Sequence, residues 1–133
     1  MPDIKEILEK SKNIAIVGLS AKAHKTSNMV GKYLLDKGYN IIPVNPNYDE
    51  IFGLKCYPCL TDIPKDIKID IVDVFMRSEK TPPVAKNAVD ISAKCLWLQL
   101  GITNEESKKI AEQGGIEYVE DKCTKIEYKR FLA

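Results

Sequence analysis

The residues best equipped for chemistry lie in one stretch, Gly18-Leu19-Ser20-Ala21-Lys22-Ala23-His24-Lys25-Thr26-Ser27. It follows an apolar run and leads straight into a helical pattern. A glycine at a strand end lets backbone approach a ligand closely. A helix N-terminus presents unpaired N–H groups and the positive end of a dipole. Lysines and hydroxyls around it add charge-assisted hydrogen bonds. Together these are the elements of a phosphate site. The plainer alternative is a solvated loop in which Ser27 is an ordinary N-cap.

Other reactive residue types are scattered. Four cysteines stand at 56, 59, 95 and 123. Cys56-Tyr57-Pro58-Cys59 has C-x-x-C spacing, but thioredoxin-like reactivity needs the first cysteine at a helix N-terminus. These two sit beside a short edge segment, so incidental proximity is the expectation. A zinc site would need further ligands that are not nearby in the pattern. Cys123 follows Asp121-Lys122 and precedes Lys125, where cations could favour a thiolate and mixed-disulfide chemistry with a thiol ligand, against the more expected reading of a buried structural cysteine. His24 is the only histidine. Asp70 and Asp73, three apart in a strand, face opposite sides and do not make an acid–base pair.

These residues need a scaffold, and the pattern supplies one. Residues 3–11 read as an amphipathic helix, and 13–17 (NIAIV) as a buried strand ending at Gly18. Met29, Val30, Tyr33 and Leu34 have helical spacing, with Lys37-Gly38 as the stop. A second strand spans 39–44, followed by the turn-rich NPNYDE and an edge segment over 54–57. Residues 69–75 form a third strand, 80–92 a helix with Pro82 and Pro83 in its first turn, and 95–98 a fourth strand. A helix over 104–113, a fifth strand over 116–119 and a helical tail from about Lys125 complete the chain. Trp97 is expected in the core. Alternating strands and helices predict an α/β, Rossmann-like, doubly wound parallel sheet of about five strands with helices on both faces. No linker or repeat divides residues 1–133, so one domain is expected.

In such sheets ligands bind outside the carboxyl ends of the strands. Those ends are Gly18–Ser27, Asn45–Tyr48, Phe75–Pro83 and Gln99–Ile102. The dinucleotide fingerprint G-x-G-x-x-G is absent, since the next glycine after Gly18 is Gly31. The second strand ends in Val44-Asn45-Pro46, not in the acidic residue of an NAD site. A Walker-type P-loop is also missing. Twenty basic against nineteen acidic residues give a net charge of +1, which argues against a broad nucleic-acid footprint. No apolar run approaches the roughly 20 residues of a membrane span, and the N-terminus lacks a signal-peptide core. A cytosolic protein with free thiols is expected.

The chain resembles the small stand-alone CoA-binding proteins related to the CoA-binding domain of the succinyl-CoA synthetase alpha subunit. The likeness rests on Ile16-Val17-Gly18-Leu19-Ser20, Gly38-Tyr39, Ile42-Pro43-Val44-Asn45-Pro46, Asp70-Ile71-Val72-Asp73-Val74-Phe75 and Leu96-Trp97-Leu98-Gln99-Leu100-Gly101-Ile102, and covers nearly everything from about residue 10. Members often carry alanine at Leu19, proline at Ala23, serine at Cys59 and histidine at Tyr128. The resemblance implies that coenzyme A is the cofactor. Gly18, Ser20, Lys25 and Ser27 would serve its phosphates, Leu19 and Thr26 would belong to the same cofactor site, and Asn45 and Pro46 would border its adenine or ribose. Phe75, Arg77, Pro82 and Gly101 would complete the wall. The expected partner is CoA or an acyl-CoA, bound by a non-catalytic carrier, sensor or thiol-protecting module, with homo-oligomerisation left open. Two alternatives stand beside it: an NAD(P)-binding oxidoreductase-like protein, and an acyl-CoA enzyme subunit that needs a partner chain.

Overall fold

The computed structural model describes residues 2–133. The chain runs through α1 (Ile4–Lys10), β1 (Asn13–Val17), α2 (Thr26–Asp36), β2 (Asn40–Val44), β3 (Glu50–Ile51) and β4 (Leu54–Lys55). It continues through β5 (Ile71–Val74), α3 (Pro82–Asp90), β6 (Cys95–Leu98), α4 (Glu105–Gln113), β7 (Glu117–Val119) and α5 (Thr124–Phe131). Five strands form one sheet in the order β2-β1-β5-β6-β7, every neighbouring pair parallel. The chain winds outward in both directions from β1, so the topological switch point lies between β1 and β5.

Both faces of the sheet are covered, which is why its strands read as unbroken apolar runs. Ile14, Ile16, Ile71, Cys95 and Trp97 pack with Leu8 of α1, Val30 and Leu34 of α2, and Tyr128 of α5. Ala15, Val17, Val72, Val74, Leu96 and Leu98 pack with Ala85 and Ala88 of α3 and Ala111 of α4. The doubly wound Rossmann-like architecture expected from the alternation is therefore the one observed. Trp97 is fully buried, and its Nε1–H donates to the Lys122 carbonyl at 2.8 Å. Among the described residues no helix is long and apolar enough to cross a membrane.

Three local expectations are corrected. The third strand begins at Ile71 rather than Ile69. Asp70 instead brackets the entry to β1, accepting from the N–H groups of Lys12 and Asn13 at 2.9 and 3.0 Å. The segment after Pro46 is a β3–β4 hairpin rather than a loop and a lone edge strand. Phe52 and Gly53 both have positive φ, +59° and +74°, the two-residue turn that matches strand twist. Tyr57 then bridges back to Val44 and closes off the β2 edge of the sheet. Finally, α2 is capped by Lys25, which sets aside the plainer alternative of a Ser27 cap.

Candidate functional site

Gly18 shapes the loop between β1 and α2. Its φ is +86°, and a Cβ built there would lie 2.1 Å from the Phe75 carbonyl oxygen. Only glycine combines that conformation with that approach. The end of β1 is thereby pressed against the end of β5 at the switch point. Two bonds hold the junction: the Gly18 N–H donates to the Val44 carbonyl at 2.8 Å, and the Phe75 N–H to the Val17 carbonyl at 2.9 Å.

Beyond Gly18 the loop is folded on itself. Leu19 turns inward and is fully buried, so its side chain belongs to the core. The Ser27 hydroxyl accepts from the Ser20 N–H at 3.0 Å, the Ser20 hydroxyl accepts from the Lys22 N–H at 3.1 Å, and Asn28 Nδ2 donates to the Ser20 carbonyl at 2.8 Å. Ser27 is thus drawn back onto the loop instead of capping the helix. The N-cap is Lys25, whose side chain makes no capping bond. The first-turn N–H groups of α2 are therefore left without a capping side chain, next to the exposed Lys25 and Thr26.

Asn45 ties this loop to the turn after β2. Its Nδ2 donates to the Leu19 carbonyl at 3.0 Å, and its Oδ1 accepts from the Asn47 N–H at 2.9 Å. Its backbone N–H donates to the Tyr57 carbonyl at 2.9 Å. A cavity of about 300 Å³ opens alongside, bounded by Gly18, Asn45, Pro46 and Phe75. The structure therefore brings together these four expected residues. Met76, Cys59, and Val84 and Asn87 from α3 also line it; Met76 lies in the strand end named from sequence but was not singled out, and the other three were not foreseen in the site. Met76 was findable as the second residue past a strand end. The α3 pair depends on how that helix packs, which no local motif encodes. Larger clefts lie elsewhere, up to about 620 Å³ beside β7 and including one of about 330 Å³ around α1 and Asp70. That one is at the amino ends of the strands, away from the glycine loop.

Three expected wall residues stand apart from the cavity lining. Arg77 is exposed and precedes a 3₁₀ turn, Ser78–Lys80. That turn is drawn toward α4, because the Ser78 carbonyl accepts from Asn104 Nδ2 and its hydroxyl from the Thr103 N–H. Pro82 is the first residue of α3. Gly101 donates its N–H to Asp121 Oδ1 at 2.7 Å and turns the chain after β6.

All four cysteines are free thiols. Burial pushes the Cys56 thiol up, partly offset by its bond to the Asn45 carbonyl at 3.4 Å. That is the opposite of an activated C-x-x-C nucleophile. Cys59 accepts from Asn87 Nδ2 at 3.3 Å. Cys123 is buried at the N-cap of α5. Among the described residues no group of three or more His, Cys, Asp or Glu side chains could hold a metal ion. Among the described residues two acidic side chains are buried, Asp73 and Glu127, and Asp73 is the one with no exposed surface. It is fully enclosed, accepting from Gln99 Nε2 at 2.5 Å and from the Thr124 hydroxyl at 3.1 Å. Burial pushes its carboxyl up to about 7 against the opposing effect of those two bonds.

The chain is similar to known proteins. A family profile described as a CoA binding domain matches residues 12–129. The chain is 46% identical over 124 residues to an uncharacterised Bacillus subtilis protein, YneT, covering 93% of this chain and 90% of that one. It is 32% identical over 114 residues to an ADP-forming acetate–CoA ligase II of Archaeoglobus fulgidus, covering 84% of this chain but only 16% of the ligase. Among solved structures, a hypothetical protein from Pyrococcus horikoshii superposes with a TM-score of 0.94 at 42% identity, covering 98% of this chain and 91% of that one.

Proposed function

The chain belongs to the CoA-binding domain family, and from that premise we propose that it binds coenzyme A or an acyl-CoA as a non-catalytic carrier, sensor or thiol-protecting module. The observation that carries the reading is the junction at the switch point. There a glycine that tolerates no Cβ, a helix N-terminus without a side-chain cap and a cavity of about 300 Å³ meet. The chemistry of that junction fits the cofactor. First-turn N–H groups of α2, with Lys25 and Thr26, suit a pyrophosphate. Asn45, Pro46 and Phe75 present a mixed polar and apolar wall that suits a nucleoside. Ser20 and Ser27 act indirectly in this scheme, by holding the loop in shape.

The lack of catalysis is part of the proposal, supported by how the candidate groups are occupied. His24 stands in an exposed loop, Asp70 is committed to the β1 entry, and Asp73 is sealed beneath α5. A thermal-shift series with CoA, acetyl-CoA, NAD and NADP tests the ligand. The expected result is a concentration-dependent rise with CoA and none with NAD. A rise with NADP and none with CoA would replace this reading with the oxidoreductase-like one.

A further inference from the structure

The outer surface of α2 and α5 carries a cluster of charge that the glycine loop does not use. The ammonium groups of Lys37, Lys125 and Lys129 lie 5.3, 5.4 and 5.4 Å from the centroid of a single ring, Tyr33. That ring is held in place by edge-on packing against Tyr128, which packs edge-on against Tyr39 in turn. The three cations thus sit within about a Debye length of one another at 0.1 M salt. Among the described residues, none of them forms an ion pair. Two neighbouring carboxylates are engaged elsewhere, Asp36 with Lys32 at 2.7 Å and Glu127 with Arg130 at 3.7 Å, and Glu9, which shares a cleft with Lys37, forms no ion pair with it. An aromatic face offsets only part of such repulsion. The chain as a whole is nearly neutral, at +1, so the concentration is local.

Two apolar side chains flank the cluster. Met29, one turn before Tyr33 on α2, is 48% exposed, and Ile126 on α5 is 49% exposed. Exposed apolar residues beside unpartnered cations describe a surface suited to an acidic protein segment. A nucleic acid fits less well, because the rings in the cluster, Tyr33 and Tyr128, are already engaged by lysine ammonium groups and by each other rather than free to stack on a base. A two-fold pairing with a second copy would set lysines against lysines.

We propose that the α2–α5 face docks an acidic segment of a partner protein. Its carboxylates would meet Lys37, Lys125 and Lys129, and its apolar side chains would meet Met29 and Ile126. The proposal is independent of the ligand at the glycine loop.

The test uses a fluorescein-labelled peptide of alternating Glu and Leu, titrated with the full chain and followed by anisotropy. The expected result is saturable binding that weakens with added salt. It should fall about tenfold or more in Lys125→Glu/Lys129→Glu, as two lost charge contacts imply, and stay unchanged in Lys65→Glu/Lys68→Glu. The milder Lys129→Gln should give an intermediate loss if the double variant folds poorly. Peptide-induced amide shifts should fall on α2 and α5, while the thermal shift with CoA persists in every variant. Absence of binding by the wild-type chain overturns the proposal, as does equal loss in both double variants. So does triad-dependent binding of a single-stranded oligonucleotide or inorganic phosphate without binding of the peptide.

Discussion

Replacing Asp73 with Asn should make the protein progressively more stable than the wild type as pH rises. Asp73 sits on the central strand β5, paired with Ile16 of β1 and Trp97 of β6, with no exposed surface. Only Gln99 and Thr124 donate to it, and Gln99 Nε2 also bonds the Thr124 hydroxyl at 3.0 Å. Burial outweighs those bonds and raises the carboxyl from 3.8 to about 7. Between those two values the native state binds more protons than the unfolded state, so the free energy of unfolding falls as pH rises through the window. A shift of about three units corresponds to roughly 4 kcal/mol across it. Above about pH 7 the loss is complete, and below about pH 4 it vanishes. Asn preserves the shape and removes the titration. Urea denaturation of both proteins from about pH 4 to pH 8, followed by the fluorescence of the buried Trp97, reads the difference directly. The advantage of Asp73→Asn over the wild type should grow by up to roughly 4 kcal/mol across the series. A difference independent of pH would refute the reasoning. So would a wild type that gains on the variant as pH rises, which would mean a carboxylate stabilised by the N-terminus of α5.

Further outcomes follow from the glycine loop. Gly18→Ala should cost about 2 kcal/mol or more in denaturant unfolding, because φ of +86° and the Phe75 carbonyl at 2.1 Å both oppose a Cβ. A cost near zero would mean that the junction can open. Asn45→Ala should cost about 2 kcal/mol, since it removes the bond to Leu19 that joins two site loops and the bond to Asn47 that shapes its own turn. It should also weaken CoA binding by calorimetry. Lys25→Ala should leave stability within about 0.5 kcal/mol and weaken CoA binding roughly five- to tenfold. Unchanged affinity would remove Lys25 from the site.

What the chain alone reveals is set by which interactions are local. The five main strands are legible because each is an apolar run closed by a glycine, a proline turn or a polar loop, and α2 is legible from Val30, Leu34 and the Lys37-Gly38 stop. The hairpin is not, because its two-residue strands rest on Phe52 adopting positive φ without an Asn-Gly or Asp-Gly signal. Gly18, Asn45, Pro46 and Phe75 are legible as strand ends that a parallel sheet must bring together. Val84 and Asn87 join them only through the packing of α3. Arg77 follows the same strand end as Phe75, yet the turn after it is pulled away by bonds to Thr103 and Asn104, 25 and 26 residues along the chain. Asp73 is the sharpest case. Its placement in a strand is plain, but its enclosure depends on Gln99 and Thr124, 26 and 51 residues away.

The central claim is that coenzyme A lies over the junction of β1, β2 and β5. Backbone amide NMR of the isotopically labelled chain during a CoA titration tests it most directly. The account predicts saturable shifts concentrated at Gly18–Ser27, Asn45, Phe75 and Met76, with α4 and the amino ends of the strands unmoved. Shifts centred on α1 and Asp70, or no shifts at saturating CoA in a folded protein, would contradict it.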